Sequence, residues 1–138
     1  MTVILIRHAE RESATVDTLS SAGKRRALVL VRMLTGAGIT AIFTSEFKRT
    51  KQTAAPVAES LALTPREIAG SISAAKAQIL ATGGVVLVVG HSNTVPALIA
   101  ALGGPPDIRV GENEFDRMFI VTLSDGGVST LALHYVSE

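Results

Sequence analysis

Two short stretches of this sequence are apolar without alternation, and they restrict the fold more than any other feature. Val85-Val86-Leu87-Val88-Val89 lies between the pair Gly83-Gly84 and the single Gly90, and Val3-Ile4-Leu5-Ile6 follows Thr2 at the start of the chain. Runs of this length, rich in β-branched side chains, read as strands rather than helices. A strand apolar at every position has two faces to bury, which places it inside a parallel sheet with helices on both sides. Both runs also end abruptly in polar residues, Arg7-His8-Ala9-Glu10 after the first and Gly90-His91-Ser92-Asn93 after the second. In open α/β sheets ligands sit beyond the carboxyl ends of the strands, so these two endings face a candidate crevice.

The intervening sequence supplies the helices such a sheet needs. Arg11 to Thr18 is polar and reads as a loop. Ser20 or Ser21 can cap a helix on which Ala27, Leu28, Leu30, Val31 and Leu34 recur at helical spacing, ending near Gly36-Ala37-Gly38. Ile39 to Thr44 reads as another strand, with Ser45 as a cap for a helix that contains Pro56, a residue expected to kink or break it. Leu63 to Gly70 is a connection to a helix capped by Ser71 or Ser73, and Val95 to Leu102 forms a further, buried helix with Pro96 near its start. After a charged connection from Asp107 to Arg117, the turn Ser124-Asp125-Gly126-Gly127 joins Met118–Leu123 to Val128–Val136 as an antiparallel hairpin. The expected architecture is α/β, a three-layer, helix-covered mixed sheet, mostly parallel with an antiparallel edge.

Length and composition exclude several classes of function. A chain of 138 residues, 47% hydrophobic, fits a single domain over residues 1–138. Thirteen basic residues against twelve acidic ones, with no long run of either sign, give no case for nucleic acid or an anionic membrane as partner. The absence of cysteine removes disulfides and thiolate metal sites and fits a reducing compartment, so a cytoplasmic location is expected. The N-terminus lacks the order of a signal peptide, and the apolar stretch from Gly83 to Gly90 is too short to span a bilayer. Gly83-Gly84 is not a phosphate-cradling loop of the ATP-binding kind, since neither the lysine nor the helix of such a loop follows it.

Three strand ends carry one chemistry: Arg7 and His8, then Ser45 and Arg49, then His91 and Ser92. If the strands are parallel, all three ends share a rim, and two guanidinium groups, two imidazoles and helix N-termini converge there. That set suits phosphate, because arginine presents a planar fork of donors to phosphate oxygens. A neutral imidazole can attack phosphorus while a protonated one stabilises the equatorial oxygens. His8 is the candidate nucleophile and His91 its cationic partner.

These residues resemble the histidine phosphatase superfamily, also called phosphoglycerate mutase-like. The opening Leu5-Ile6-Arg7-His8-Ala9-Glu10 is similar to its Arg-His-Gly motif, with Ala9 in place of glycine, and Leu19-Ser20-Ser21-Ala22-Gly23 is similar to the start of its first helix. Thr44 to Ala54, with Arg49, looks like its second arginine motif, and Gly90-His91-Ser92 its second histidine motif. The resemblance implies that His8 is transiently phosphorylated, that Arg7, Arg49 and His91 hold the phosphoryl group, and that no metal is required; Ser92 is a further phosphate-binding candidate that can equally serve as a cap, and no cofactor is expected. Larger members carry a carboxylate general acid between the second helix and the later strand; Glu67 is the positional candidate, with Glu10 and Glu114 as rivals. In size the chain resembles the small bacterial phosphohistidine phosphatases. Expelling an alkoxide requires a proton donor, whereas a phosphorylated imidazole leaves more easily. The expected substrate is therefore phosphohistidine in a protein. The alternatives are a small phosphorylated metabolite hydrolysed as a phosphomonoester, or a non-catalytic phosphate-binding module. No oligomeric state follows from the sequence.

Overall fold

The computed structural model describes residues 1–136. In chain order it contains β1 (Thr2–Arg7), β2 (Arg11–Ser13), β3 (Val16–Leu19), α1 (Ser21–Leu34), β4 (Ala41–Thr44) and α2 (Lys48–Leu61). These are followed by β5 (Arg66–Glu67), α3 (Ile72–Thr82), β6 (Val85–Gly90), α4 (Thr94–Ala101), β7 (Arg117–Ser124) and β8 (Gly127–His134). Six strands form one sheet in the order β5-β4-β6-β1-β7-β8, and β2 and β3 form a separate small hairpin. The pairs β1 with β6, β4 with β6 and β4 with β5 are parallel, while β7 and β8 add the antiparallel edge. The expected mixed, helix-covered sheet is the one observed.

The two apolar runs occupy the centre of this sheet, side by side. Because successive side chains alternate between faces, Val3, Leu5, Val86 and Val88 pack on one side with Ala75 and Ile79 of α3 and Leu98 and Ile99 of α4. Ile4, Ile6, Leu87 and Val89 pack on the other with Leu30 and Leu34 of α1 and Val57 and Ala58 of α2. Each face therefore has its own helix pair, and the sheet has no solvated face over β1 and β6.

Register then sets the rim. Arg7 pairs with Gly90 across β1 and β6, and Thr44 pairs with Val89 across β4 and β6. His8 and His91 are the next residues of their strands and emerge at one level, with Ser45 one step before them, level with Arg7 and Gly90. The amide of His8 donates to the Gly90 carbonyl at 2.8 Å, which continues the ladder one step past the strand.

Ser20 caps α1 and Ser71 caps α3, each accepting a backbone amide three residues on. Three local expectations need correction. Residues 11–19 form the β2–β3 hairpin rather than a loop; the segment is polar and has no apolar alternation, so its pairing is carried by backbone bonds that leave no trace in composition. Ser45 does not cap α2: the cap position is Phe47, and Asp17 of β3 accepts from the amides of Lys48 and Arg49 at 2.9 and 3.4 Å. Pro56 does not interrupt α2, because its neighbours Ala54, Val57 and Ala58 are buried and hold the helix on the sheet across the missing amide.

The turn after β1 also depends on one close approach. The Glu10 carbonyl accepts from the Ser20 amide at 2.9 Å, and a Cβ on Gly23 would lie 2.1 Å from that same oxygen. Backbone meets backbone there, so no rotamer change can relieve the contact. Gly23→Ala is expected to lower unfolding stability by roughly 1–3 kcal/mol or more, measured by urea denaturation, as overpacking does elsewhere; an unchanged midpoint would contradict the packing of α1 on this turn.

Candidate active site

His8 is 3% exposed and sits where β1 ends. Its Nδ1 lies 2.8 Å from the Ala9 carbonyl, and a carbonyl can only accept, so Nδ1 carries the proton and Nε2 keeps a lone pair. The following turn is pinned from α2: the Ala9 amide donates to Thr53 Oγ1 at 2.9 Å, and that buried hydroxyl donates to the Arg49 carbonyl at 2.7 Å. One threonine thus ties the His8 turn to the helix carrying Arg49.

The two arginines are held in the same manner. Arg7 Nη1 donates to the carbonyls of Gly111, Glu112 and Glu114 at 3.1, 2.7 and 3.0 Å, and its guanidinium lies 4.1 Å from the Phe115 ring centroid. Arg49 Nη1 donates to Asp17 Oδ1 at 2.7 Å, and its guanidinium lies 4.3 Å from the Phe47 ring centroid. Each guanidinium is therefore oriented by one nitrogen and one aromatic face. In both, Nε is buried and has no hydrogen-bond partner. Neither guanidinium donates through Nη2 to a described residue, and both side chains line one cavity, so each keeps donors for an acceptor there.

His91 is tied at its other nitrogen. Thr50 Oγ1 donates to the Phe47 carbonyl at 2.9 Å, so it accepts from Ser45 Oγ at 2.8 Å, and Ser45 in turn accepts from His91 Nε2 at 2.8 Å. That chain leaves Nδ1 as the nitrogen free to take a proton. The His8 and His91 ring centroids are 5.4 Å apart.

Electrostatics keep both rings neutral. Burial is the main cause that pushes His8 down to about 4, opposed by its bond to Ala9 and reinforced by Arg7, His91 and Arg49. His91 is also lowered to about 4, by burial first and then by Arg49 and Arg7. An oxyanion between the two guanidiniums would reverse the charge contribution and favour protonation of His91. The arrangement can therefore supply a neutral nucleophile, fixed cationic donors and a second imidazole ready to be charged.

Arg7, His8, Arg49, His91 and Ser92 all line one cavity of about 710 Å³. The three proton-donor candidates, Glu67, Glu10 and Glu114, do not join them. Glu67, in β5, pairs with Lys51 at 2.8 Å and faces a neighbouring, more apolar cavity. Glu10 is held by Arg26 through two bonds of 2.8 and 3.1 Å, and that pairing keeps its carboxyl low against the opposing effect of burial. Glu114 turns back to accept from the Gly111 amide at 2.8 Å. Asp17, Thr53 and Phe115 escape a reading of the sequence because each acts on a residue far along the chain, whereas Phe47 is a local contact two residues before Arg49. Among the described residues no group of three His, Asp or Glu could hold a metal ion, and no helix is long and apolar enough to cross a membrane.

The family model of the histidine phosphatase superfamily (branch 1) matches residues 3–70. No curated protein matches the sequence. Among solved structures, the protein histidine phosphatase SixA, complexed with tungstate, is 22% identical with a TM-score of 0.76, covering 97% of each chain. The α-ribazole phosphatase of Shigella flexneri is 18% identical with a TM-score of 0.74, over 98% of this chain and 96% of that one. Phosphoserine phosphatase of Entamoeba histolytica is 16% identical with a TM-score of 0.73, over 98% and 97%. These likenesses establish a shared fold, and with the family match they bear out the recognition made from the motifs.

Both imidazoles should titrate near pH 4 in the free protein when followed by NMR, and inorganic phosphate should raise the titration of His91. The unfolded chain takes up these protons below about pH 6.5, so the stability gained by keeping the rings neutral is present above that pH and is lost as pH falls through about 4. Titration of both near the ordinary histidine value would contradict their burial beside the two arginines.

Proposed function

We propose that this chain, recognised by motif and fold as of the histidine phosphatase superfamily, is a phosphatase that works through a phosphohistidine on His8. The observation that carries the reading is that Arg7 and Arg49, each held through Nη1 with Nη2 left unbonded, line one cavity with an imidazole whose tautomer leaves Nε2 free. In the first step Nε2 of His8 attacks phosphorus, and the bond to the leaving group breaks with its electron pair. Arg7 and Arg49 hold the equatorial oxygens, with Ser92 at the cavity wall. His91, protonated at Nδ1 as the anion binds, neutralises the developing charge. In the second step water attacks phosphorus, the bond to His8 breaks, and phosphate leaves. Every group invoked belongs to the chain, and the reading requires no cofactor.

The substrate we favour is phosphohistidine in a protein, in the cytoplasm. A cavity of about 710 Å³ is far larger than a phosphoryl group and admits part of a protein segment. None of Glu10, Glu67 and Glu114 stands in it as a proton donor, which favours a leaving group that needs none. A small phosphomonoester is the second reading, since likenesses of similar quality include phosphatases named for α-ribazole and phosphoserine.

His8→Ala should reduce turnover of both a phosphohistidine peptide and an aryl phosphate, with chelator present, by on the order of 10³-fold or more, with circular dichroism unchanged. Turnover retained in this variant would remove His8 as nucleophile. A wild-type protein that binds phosphate but turns over neither substrate would instead favour a non-catalytic binding module.

A further inference from the structure

Within the cavity that gathers Arg7, Arg11 and Arg49 there is one carboxylate, that of Glu112. Its situation differs from that of the acids around it. Glu10 is paired with Arg26, Asp17 with Arg49, Glu67 with Lys51, and Asp116 with His134 at 2.8 Å. The side chain of Glu112 has no ion pair or hydrogen bond among the described residues, although its charge is near enough to oppose in part the lowering that burial and Arg11 impose on the Arg7 guanidinium. Its backbone is nevertheless firmly placed, because the Glu112 carbonyl accepts from Arg7 Nη1 at 2.7 Å, the shortest of the three bonds that hold this guanidinium. A carboxylate carried on that backbone at the wall of an anion site opposes binding of the phosphoryl group, so it is better suited to the other end of the substrate.

We infer that Glu112 is a specificity residue that receives the cationic ring of a phosphorylated imidazole. The inference rests on the proposed phosphatase reading and deepens it. Phosphohistidine protonated at its distal nitrogen is a flat cation bearing an anionic phosphoryl group. With that group between Arg7 and Arg49, the distal N–H donates to the Glu112 carboxylate, a charge-assisted bond of about twice the strength of a neutral one. Phe47, on the same cavity lining and 41% exposed, offers the ring an aromatic neighbour. When His8 Nε2 forms its bond to phosphorus, the substrate P–N bond breaks and its electron pair returns to the substrate ring. The distal N–H stays where it was, and a neutral imidazole departs. No proton is transferred, and no general acid is needed.

The test compares wild type with Glu112→Gln and Glu112→Asp on phosphoimidazole, p-nitrophenyl phosphate and an alkyl phosphate. Glu112→Gln keeps the backbone bond to Arg7, so the comparison reads the side chain alone. It should lower kcat/KM for phosphoimidazole about tenfold more than for p-nitrophenyl phosphate, and Glu112→Asp should restore part of that selectivity. In wild type the preference for phosphoimidazole should decline as pH rises and the ring loses its proton, and in Glu112→Gln this dependence should flatten. Three results would overturn the inference: an unchanged ratio in Glu112→Gln, a larger loss on the alkyl phosphate, which would make Glu112 a general acid, or wild-type turnover of p-nitrophenyl phosphate without phosphoimidazole. All three leave the phosphatase reading standing. Absence of turnover of every substrate by wild type overturns both.

Discussion

The parallel pairing of β1 with β6 is the constraint on which the rest of the molecule depends. Its register, Thr2 on Val85 through Arg7 on Gly90, buries two faces at once and brings His8 and His91 to the same rim. A slip of one residue would exchange the side chains packed under α1 and α2 for those packed under α3 and α4. It would also lift one histidine away from the other. Core packing and site geometry are thus two consequences of one alignment, reinforced by Thr44 lying level with Val89 on the next strand.

Charge is the second organising factor, and it opposes folding. Two guanidiniums and two imidazoles are drawn together in a partly desolvated place, where unscreened like charges repel. The structure manages this in two ways. The imidazoles are kept neutral down to about pH 4. Each arginine is held by groups that do not occupy all its donors: carbonyls and Phe115 for Arg7, Asp17 and Phe47 for Arg49. All four phenylalanines of the chain lie against an arginine, Phe43 under Arg66 and Phe119 under Arg117 completing the set. The residual donors are left for an anion, so ligand binding would relieve a cost that the folded chain otherwise bears.

The central strands were legible because unbroken apolar runs have few ways to be buried, and the Ser20 and Ser71 caps because capping is local. The convergence of Arg7, Arg49 and the two histidines followed from parallel topology alone. What escaped the sequence is what acts across distance. Asp17 caps a helix thirty-odd positions away in place of Ser45, and nothing near it announces that use. The β2–β3 hairpin has no apolar pattern to reveal it. Glu67 is a candidate by position along the chain alone, and in the fold its carboxylate turns to Lys51, whereas Glu112 belongs to a charged connection that Arg7 draws to the cavity.

The central claim is that Arg7, Arg49 and His91 enclose a phosphoryl group transferred to His8 Nε2. A crystal structure of the protein with vanadate, which adopts the geometry of phosphoryl transfer, tests it most directly. Vanadium is expected to bond to His8 Nε2, with the guanidinium groups of Arg7 and Arg49 donating to its equatorial oxygens and His91 Nδ1 within hydrogen-bond distance. Vanadate bonded to His91 instead, or seated away from both arginines, would contradict it.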